Sequence, residues 1–173
     1  MANAFPLYVY LNDRECIIIG GGSHAAYSAE TLLMFGARIT VISPSLCPAL
    51  REMDKAGRIR YIPRKYFRGD CTPATLCVAA TNSDAVNIAV AEECKAKGIP
   101  VNLSHPVAYS TYVFPCVALR DDITLSVAGK LPENSEQAVQ SALDAAVDTI
   151  MGTAPADEPP TKPKRTRKTV TQP

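Results

Sequence analysis

The 173-residue chain is 47% hydrophobic and 20% charged, with 18 basic and 17 acidic residues, a composition that excludes an intrinsically disordered chain. Residues 153–173 hold five of the basic and two of the acidic residues, which leaves 13 against 15 before them, so bulk charge excludes nucleic-acid binding by residues 1–152. No apolar run reaches the roughly 18 residues of a membrane span, and no basic leader precedes the first apolar stretch. We therefore expect a cytoplasmic protein with neither a membrane nor a specific nucleic acid as partner.

Short β-branched runs alternate with helical patterns over the first hundred residues. Predicted strands cover residues 16–19, 38–42, 58–62 and 76–80, another begins at residue 101, and predicted helices cover residues 25–35, 48–56 and 83–97. A glycine follows each predicted helix, the usual C-terminal cap. This order predicts an α/β fold, a Rossmann-like domain with a parallel sheet and right-handed crossovers, over residues 1–113.

The pattern changes after Phe114-Pro115. Residues 116–119 and 123–127 predict a β-hairpin, and residues 134–151 predict an amphipathic helix. Its apolar face comprises Ala138, Val139, Ala142, Leu143, Ala146, Val147 and Ile150. Because so small a unit cannot cover this face by itself, we expect residues 114–152 to be the dimerisation segment of a homodimer.

The last residues, 153–173, predict a disordered basic tail. They contain five prolines and no aromatic residue, so they cannot bury enough apolar surface to offset the entropy of ordering. A solvated tail is the simpler interpretation, and a weak contact with RNA or another polyanion is the alternative.

Six cysteines and two histidines lack the spacing of a metal-binding motif. The cysteines are Cys16, Cys47, Cys71, Cys77, Cys94 and Cys116. They form no CxxC pair, and the histidines form no HxxxH set. We expect no zinc site, no disulfide framework and no metal ligand, with most of the thiols acting as small core residues.

A glycine motif, Gly20-x-Gly22-x-x-Ala25, lies between a predicted strand and a predicted helix, the context in which this pattern indicates dinucleotide binding. Gly20 permits the tight turn, Gly22 lets a pyrophosphate approach the backbone, and Ala25 lets the helix pack closely on the strand. The helix N-terminus supplies N–H groups and partial positive charge. A ligand-free tight turn is the alternative. An acidic residue at the end of the second strand usually binds the ribose 2′-hydroxyl of NAD. Here the strand ends in Ile42-Ser43-Pro44-Ser45 without one, so this position does not distinguish NAD from NADP.

Several motifs, in this order and spacing, resemble one known family. They are Phe5-Pro6-Leu7-Tyr8, IIIGGG, LLMFGARITVISPSL, CVAATNSDAVN, Gly98-Ile99-Pro100-Val101-Asn102 and Tyr112-Val113-Phe114-Pro115. Over roughly residues 5–145 the chain resembles the precorrin-2 dehydrogenase family, which includes the N-terminal part of multifunctional sirohaem synthases. The resemblance implies a Rossmann domain followed by a dimerisation segment. It also implies NAD-dependent oxidation of the tetrapyrrole precorrin-2 to sirohydrochlorin and, in some members, iron insertion.

The resemblance also implies which residues contact NAD. They are Gly20, Gly21, Gly22, Ser23, His24 and Ala25 of the glycine loop, Ser43, Pro44 and Ser45 after the second strand, and Thr81 and Asn82 after the fourth. For His24, we favour a role as a neighbour of the cofactor or as a helix N-terminal residue over a catalytic role.

His105 is the candidate catalytic residue. An ungapped count back from Phe114-Pro115 places it where the family usually carries the aspartate implicated in its chemistry. Neutral imidazole can accept a proton as a carboxylate does, and it could also ligate the iron of a metallated tetrapyrrole. An ordinary loop histidine is the alternative. Two further positions differ from the family pattern, because Ala128 replaces its usual serine and Tyr27-Ser28 replaces its usual basic pair.

Three functions stay open. The first is an oxidoreductase of sirohaem synthesis, with NAD on the glycine loop and His105 as the acid/base residue. The second is a catalytically silent relative that binds a dinucleotide, a tetrapyrrole or haem as a carrier or regulatory subunit. An unrelated Rossmann enzyme is a third. Tyr109, Tyr112 and Phe114 are either core residues at the strand edge or an apolar wall for a macrocycle.

Overall fold

Five parallel strands form the central sheet of the computed structural model, which describes residues 4–129 and 135–152. The strands are β1 (Glu15–Ile19), β2 (Arg38–Ile42), β3 (Arg60–Ile62), β4 (Leu76–Ala79) and β5 (Val101–Leu103), in the spatial order β3-β2-β1-β4-β5. The helices α1 (Ser23–Met34), α2 (Pro48–Lys55) and α3 (Asp84–Ala96) follow β1, β2 and β4. The predicted element order and the Rossmann-like parallel sheet are confirmed.

The central strand β1 is covered on both faces, which explains why its sequence is continuously apolar. Cys16 and Ile18 point into a core cluster shared with α1 and α2. Ile17 and Ile19 point to the opposite face, into a second cluster shared with α3. Since successive side chains of a strand alternate between faces, a strand covered on both sides needs an apolar residue at every position.

The connection from β3 to β4 carries the chain from the sheet edge to the strand beside β1. We call residues 63–75 the crossing loop; its described backbone is a series of turns. The Thr75 N–H donates to the Glu15 carbonyl at 2.8 Å, and Arg64 binds Asp70 through two hydrogen bonds of 2.7 and 2.8 Å. Cys71 is fully buried in the second core cluster, so the crossing loop closes one face of the sheet.

A hairpin and a helix follow the sheet, as predicted. The strands β6 (Cys116–Arg120) and β7 (Ile123–Val127) pair antiparallel, and α4 (Glu136–Ile150) packs on them. Leu143 and Val147 are buried against Ala118 of β6. We call β6, β7 and α4 the hairpin–helix unit.

The hairpin covers only part of the apolar face of α4. Val139, Leu143 and Val147 form one row along the helix that packs against the hairpin. The neighbouring row is exposed, and it consists of Ala138, Ala142, Ala146 and Ile150. A two-stranded sheet offers too little width to cover two adjacent rows of a helix, in agreement with the expectation that so small a unit cannot cover this face by itself.

The predicted tail, residues 153–173, lies outside the described residues, and the domain boundaries at 113 and 152 stay predictions. Within the part of the chain that the structure describes, no helix is both long and apolar enough to cross a membrane.

Candidate dinucleotide and substrate site

The first two glycines of the motif are required by the fold itself. Gly20 has a φ of +124°, and a Cβ built there would lie 2.1 Å from the Ala80 carbonyl oxygen. A Cβ on Gly21 would lie 1.9 Å from the Ser45 carbonyl oxygen. Side chains at these positions would collide with backbone, so both glycines allow the ends of neighbouring strands to pack closely.

Gly22 differs, because the space next to it is open. It is the N-cap of α1 with an extended backbone, and a Cβ there would have no neighbour within 4 Å. The first turn of α1 contains no acidic residue, and the first N–H groups of a helix lack acceptors inside the helix. Ser23 and His24 are exposed on this turn, whereas Ala25 is buried against the sheet. The arrangement fits the pyrophosphate of a dinucleotide.

The loop after β2 supports the glycine motif. The Ser43 hydroxyl is almost buried and donates to the Ser45 carbonyl at 2.8 Å, so this side chain braces the loop. The Cys47 N–H donates to the Gly21 carbonyl at 2.7 Å, which ties the two loops together. Pro44 and Ser45 are exposed beside the glycines, where a ligand would meet them.

Asn87 links the loops after β4 and β5. Its fully buried side-chain oxygen accepts from the Thr81 hydroxyl at 2.7 Å and from the Thr81 N–H at 3.1 Å. Its side-chain NH₂ donates to the Thr81 carbonyl at 3.1 Å and to the His105 carbonyl at 2.8 Å. Both hydrogens of the amide are therefore used, and the backbone of His105 is fixed relative to Thr81. Asn82 is exposed in the same turn.

His105 pairs with a carboxylate that the sequence analysis did not identify. Its Nδ1 lies 2.5 Å from Oδ1 of Asp84, the first residue of α3. The imidazole is about half exposed at 48%, beyond the end of β5. With Nδ1 donating its proton to the carboxylate, Nε2 is the acceptor of the ring. The same edge of the sheet thus carries the glycine loop and an oriented imidazole.

Sequence reasoning missed Asp84 and Asn87 because they lie 21 and 18 positions from His105. Both belong to the CVAATNSDAVN motif, which was the available signal. A helix that starts beside the end of the neighbouring strand is what brings the three residues together.

The three aromatic residues after β5 divide between packing and exposure. Phe114 packs on the first core cluster, and its ring lies 6.3 Å from Tyr112 and 6.1 Å from Tyr27. Burial raises the pKa of Tyr112 well above its ordinary value, and its hydroxyl has no hydrogen-bond partner among the described residues. Tyr109 is partly exposed, with the Lys95 ammonium 5.3 Å from its ring centre. Tyr112 and Phe114 therefore serve as packing at the strand edge.

These features define a Rossmann-type dinucleotide-binding domain. The chain belongs to the NAD_binding_7 family, described as "Putative NAD(P)-binding", which matches residues 7–116. The family therefore supports a nicotinamide dinucleotide as the cofactor.

Among curated proteins, the chain is similar to "Siroheme synthase" of Chromobacterium violaceum, 34% identical over 130 residues, and to "Siroheme synthase" of Methylobacillus flagellatus, 34% identical over 123 residues. These matches cover 74% and 71% of this chain but 28% and 26% of the relatives. The chain thus spans about a quarter of their length. They confirm the resemblance to the sirohaem synthases.

Among solved structures, "SirC, precorrin-2 dehydrogenase" matches with a TM-score of 0.63 and 21% identity, over 85% of this chain and 71% of that protein. This match confirms the predicted fold, a Rossmann-like sheet followed by a hairpin and a helix.

Proposed function

We propose that the chain is an NAD-dependent dehydrogenase that oxidises precorrin-2 to sirohydrochlorin in sirohaem synthesis. The observation that carries the proposal is the His105–Asp84 pair, which lies at the sheet edge that also bears the open glycine loop. Relatives named siroheme synthase and a fold neighbour named precorrin-2 dehydrogenase support this reaction class.

NAD would be held by the backbone at Gly22 and by the N-terminus of α1, with Pro44, Ser45 and Asn82 at its flanks. We propose NAD rather than NADP because residues 42–47 contain no basic side chain to pair with a 2′-phosphate. When bound, NAD supplies the acceptor for the hydride that leaves precorrin-2.

His105 takes the proton that must leave with the hydride. Its Nε2 accepts this proton, and the Asp84 carboxylate on Nδ1 stabilises the imidazolium that forms. Asn87 acts through His105 as a positioning residue, because it holds the His105 carbonyl at 2.8 Å. A histidine–aspartate pair would thus do the work that the family usually gives to one aspartate.

The test is a precorrin-2 oxidation assay with NAD, followed by the absorbance of sirohydrochlorin. His105→Ala should lower turnover by roughly 10²- to 10⁴-fold, the usual range for a positioned acid or base, with NAD affinity unchanged. His105→Asp, which installs the usual family residue, should recover part of the loss. Turnover by the parent that survives His105→Ala unchanged would remove His105 from the mechanism. Adding Fe²⁺ to the product mixture tests iron insertion.

The silent-relative alternative uses the same imidazole differently. A half-exposed histidine nitrogen can ligate the iron of a tetrapyrrole, which a carboxylate does poorly. If neither the parent nor His105→Asp oxidises precorrin-2, a haem titration decides. Spectral changes that His105→Ala abolishes would favour a carrier over an enzyme.

We also propose that the chain forms a homodimer through the hairpin–helix unit. In the described part of this unit, the buried residues are Val117, Ala118, Leu143 and Val147, and the last three form its core cluster, which is too small to stabilise a hairpin and a helix alone. Among the described residues, no element of the same chain covers the exposed row of α4. The N-terminal apolar segment, whose Tyr8 hydroxyl lies 3.1 Å from the Ser126 hydroxyl, adds further exposed area beside the unit.

Light scattering at micromolar concentration tests the dimer. Removing residues 153–173 should leave the assembly unchanged, whereas Ala142→Glu on the exposed row should produce monomers. A monomeric parent would contradict the proposal, and a dimer that survives Ala142→Glu would exclude this row from its interface.

A further inference from the structure

Three cysteines from separate parts of the chain meet beneath the sheet. Cys71 comes from the crossing loop, Cys77 from β4 and Cys94 from α3, and all three are fully buried. Their sulfur atoms all lie within 4.8 Å of one another, and the Sγ atoms of Cys71 and Cys77 are 3.7 Å apart. The sequence analysis expected no metal ligand, because spacings of six and seventeen positions match no zinc motif.

We propose that this cysteine cluster binds one soft metal ion, Cu(I), through three sulfur ligands. Metal–thiolate bonds are about 2.3 Å long, so three sulfurs around one ion lie about 4 Å apart, which the cluster nearly matches already. Among the described residues, no fourth cysteine, histidine or carboxylate joins the group. Soft thiolates select Cu(I) or zinc, and the lack of a fourth ligand disfavours zinc, whose structural sites are four-coordinate.

The position of Cys71 is held independently of any ion. The Glu93 side chain, 2% exposed, accepts from the N–H groups of Gly69 at 2.9 Å and of Cys71 at 3.2 Å. It also accepts from the Tyr66 hydroxyl at 2.6 Å and from the Lys97 ammonium at 2.8 Å. Because the Glu93 carboxylate binds the backbone N–H groups of Cys71 and of nearby Gly69, it positions one ligand of the site before a metal ion binds, as outer contacts do in known metal sites.

The thiolate, not the thiol, is the form of cysteine that binds a metal ion. Each S–H that becomes a ligand must release its proton, so uptake should weaken as pH falls.

An ion would enter through the crossing loop. Cys71 is buried, but its neighbours Gly69, Thr72 and Pro73 are exposed, so the crossing loop borders both the cluster and the solvent. Outward movement of this segment would open the cluster without disturbing the sheet, whereas Cys77 and Cys94 lie on a strand and a helix.

The experiment is an anaerobic competition between the full chain and a coloured Cu(I) chelator. Cys47→Ser/Cys116→Ser serves as background, because it removes the two half-buried thiols outside the cluster. This background should take up one Cu(I) per chain, more weakly at lower pH. Adding Cys94→Ser should weaken uptake at least a hundredfold. Absence of uptake, or uptake that Cys94→Ser leaves unchanged, would overturn the proposal.

X-ray absorption at the copper edge provides a readout that does not depend on whether the Cys94→Ser variant folds. The Cu(I)-loaded background protein should show three sulfur neighbours at about 2.3 Å. Two sulfurs, or nitrogen and oxygen neighbours, would place copper elsewhere and overturn the assignment. A parallel titration with Zn²⁺ tests the choice of ion, since zinc binding tighter than Cu(I) would contradict a three-coordinate site.

Discussion

Replacing Gly22 with valine should weaken dinucleotide binding strongly while leaving the fold intact. The Gly22 backbone has φ −88° and ψ −169°, an extended conformation that any residue adopts, and nothing lies within 4 Å of the new Cβ. The cost to folding should therefore stay within about 1 kcal/mol, the usual effect of a poorer N-cap. The side chain, however, would occupy the space through which a phosphate reaches the helix N–H groups.

The loss of affinity follows from contact distances. A phosphate oxygen accepts from a backbone N–H at about 2.9 Å, whereas carbon atoms keep roughly 3.5–4.0 Å from their neighbours. The valine methyl groups and the phosphate cannot share the same approach, so we expect NAD affinity to fall more than tenfold, or over about 1.4 kcal/mol. The NAD affinity of Gly22→Ala should lie between those of the parent and of Gly22→Val.

Calorimetric titration measures NAD affinity, and urea unfolding measures stability. Gly20→Ala is the control variant, because it should lose stability. Its Cβ would lie 2.1 Å from the Ala80 carbonyl oxygen at a φ of +124°, so stability should fall by about 1–3 kcal/mol or more. Normal NAD affinity in folded Gly22→Val protein would refute the assignment of the phosphate site.

Three further changes probe other contacts. Asp84→Asn should lower turnover about 10- to 100-fold by removing the carboxylate from His105, whereas Glu92→Gln, exposed on the same helix, should not change it. Glu93→Gln should cost about 1–3 kcal/mol in urea unfolding. Burial raises the pKa of Glu93, but hydrogen bonds from Lys97, Tyr66 and Gly69 lower it further, so its net pKa lies below the ordinary value of 4.5. The free energy of unfolding of the parent should therefore decrease as the pH drops below about 4.5, and it should decrease less in the Glu93→Gln variant. Leu143→Ala should cost about 2–5 kcal/mol and speed hydrogen exchange in the hairpin.

The sheet could be predicted because its signals are local. The run Cys16–Ile19 is apolar at every position, and a strand buried on both faces requires that composition. The glycine motif that follows could be recognised from its spacing after a strand, although the contacts that require Gly20 and Gly21 come from the backbone of Ala80 and Ser45, after neighbouring strands. Such features depend on a few consecutive residues and can be read without knowing the fold.

The contacts that organise the site could not be predicted in this way. Asp84 and Asn87 reach His105 only because α3 starts next to the end of β5. The cysteine cluster needs a loop, a strand and a helix to converge, which no spacing rule describes. The sequence also could not say which row of α4 packs on the hairpin and which stays exposed, since periodicity gives the apolar width of a helix but not the position of its cover.

Three helices, α1, α2 and α3, begin at the carboxyl edge of the sheet, and the N-termini of α1 and α3 differ in their charge. The N-terminus of α3 is capped by the Ser83 hydroxyl, which accepts from the Val86 N–H, and it carries the Asp84 carboxylate. An anion would be repelled there. The N-terminus of α1 has Gly22 as its cap and no acidic residue in its first turn. Of these two helices, only α1 leaves its partial positive charge uncompensated, so we expect a dinucleotide to place its pyrophosphate there and leave the end of α3 to orient His105 towards the substrate.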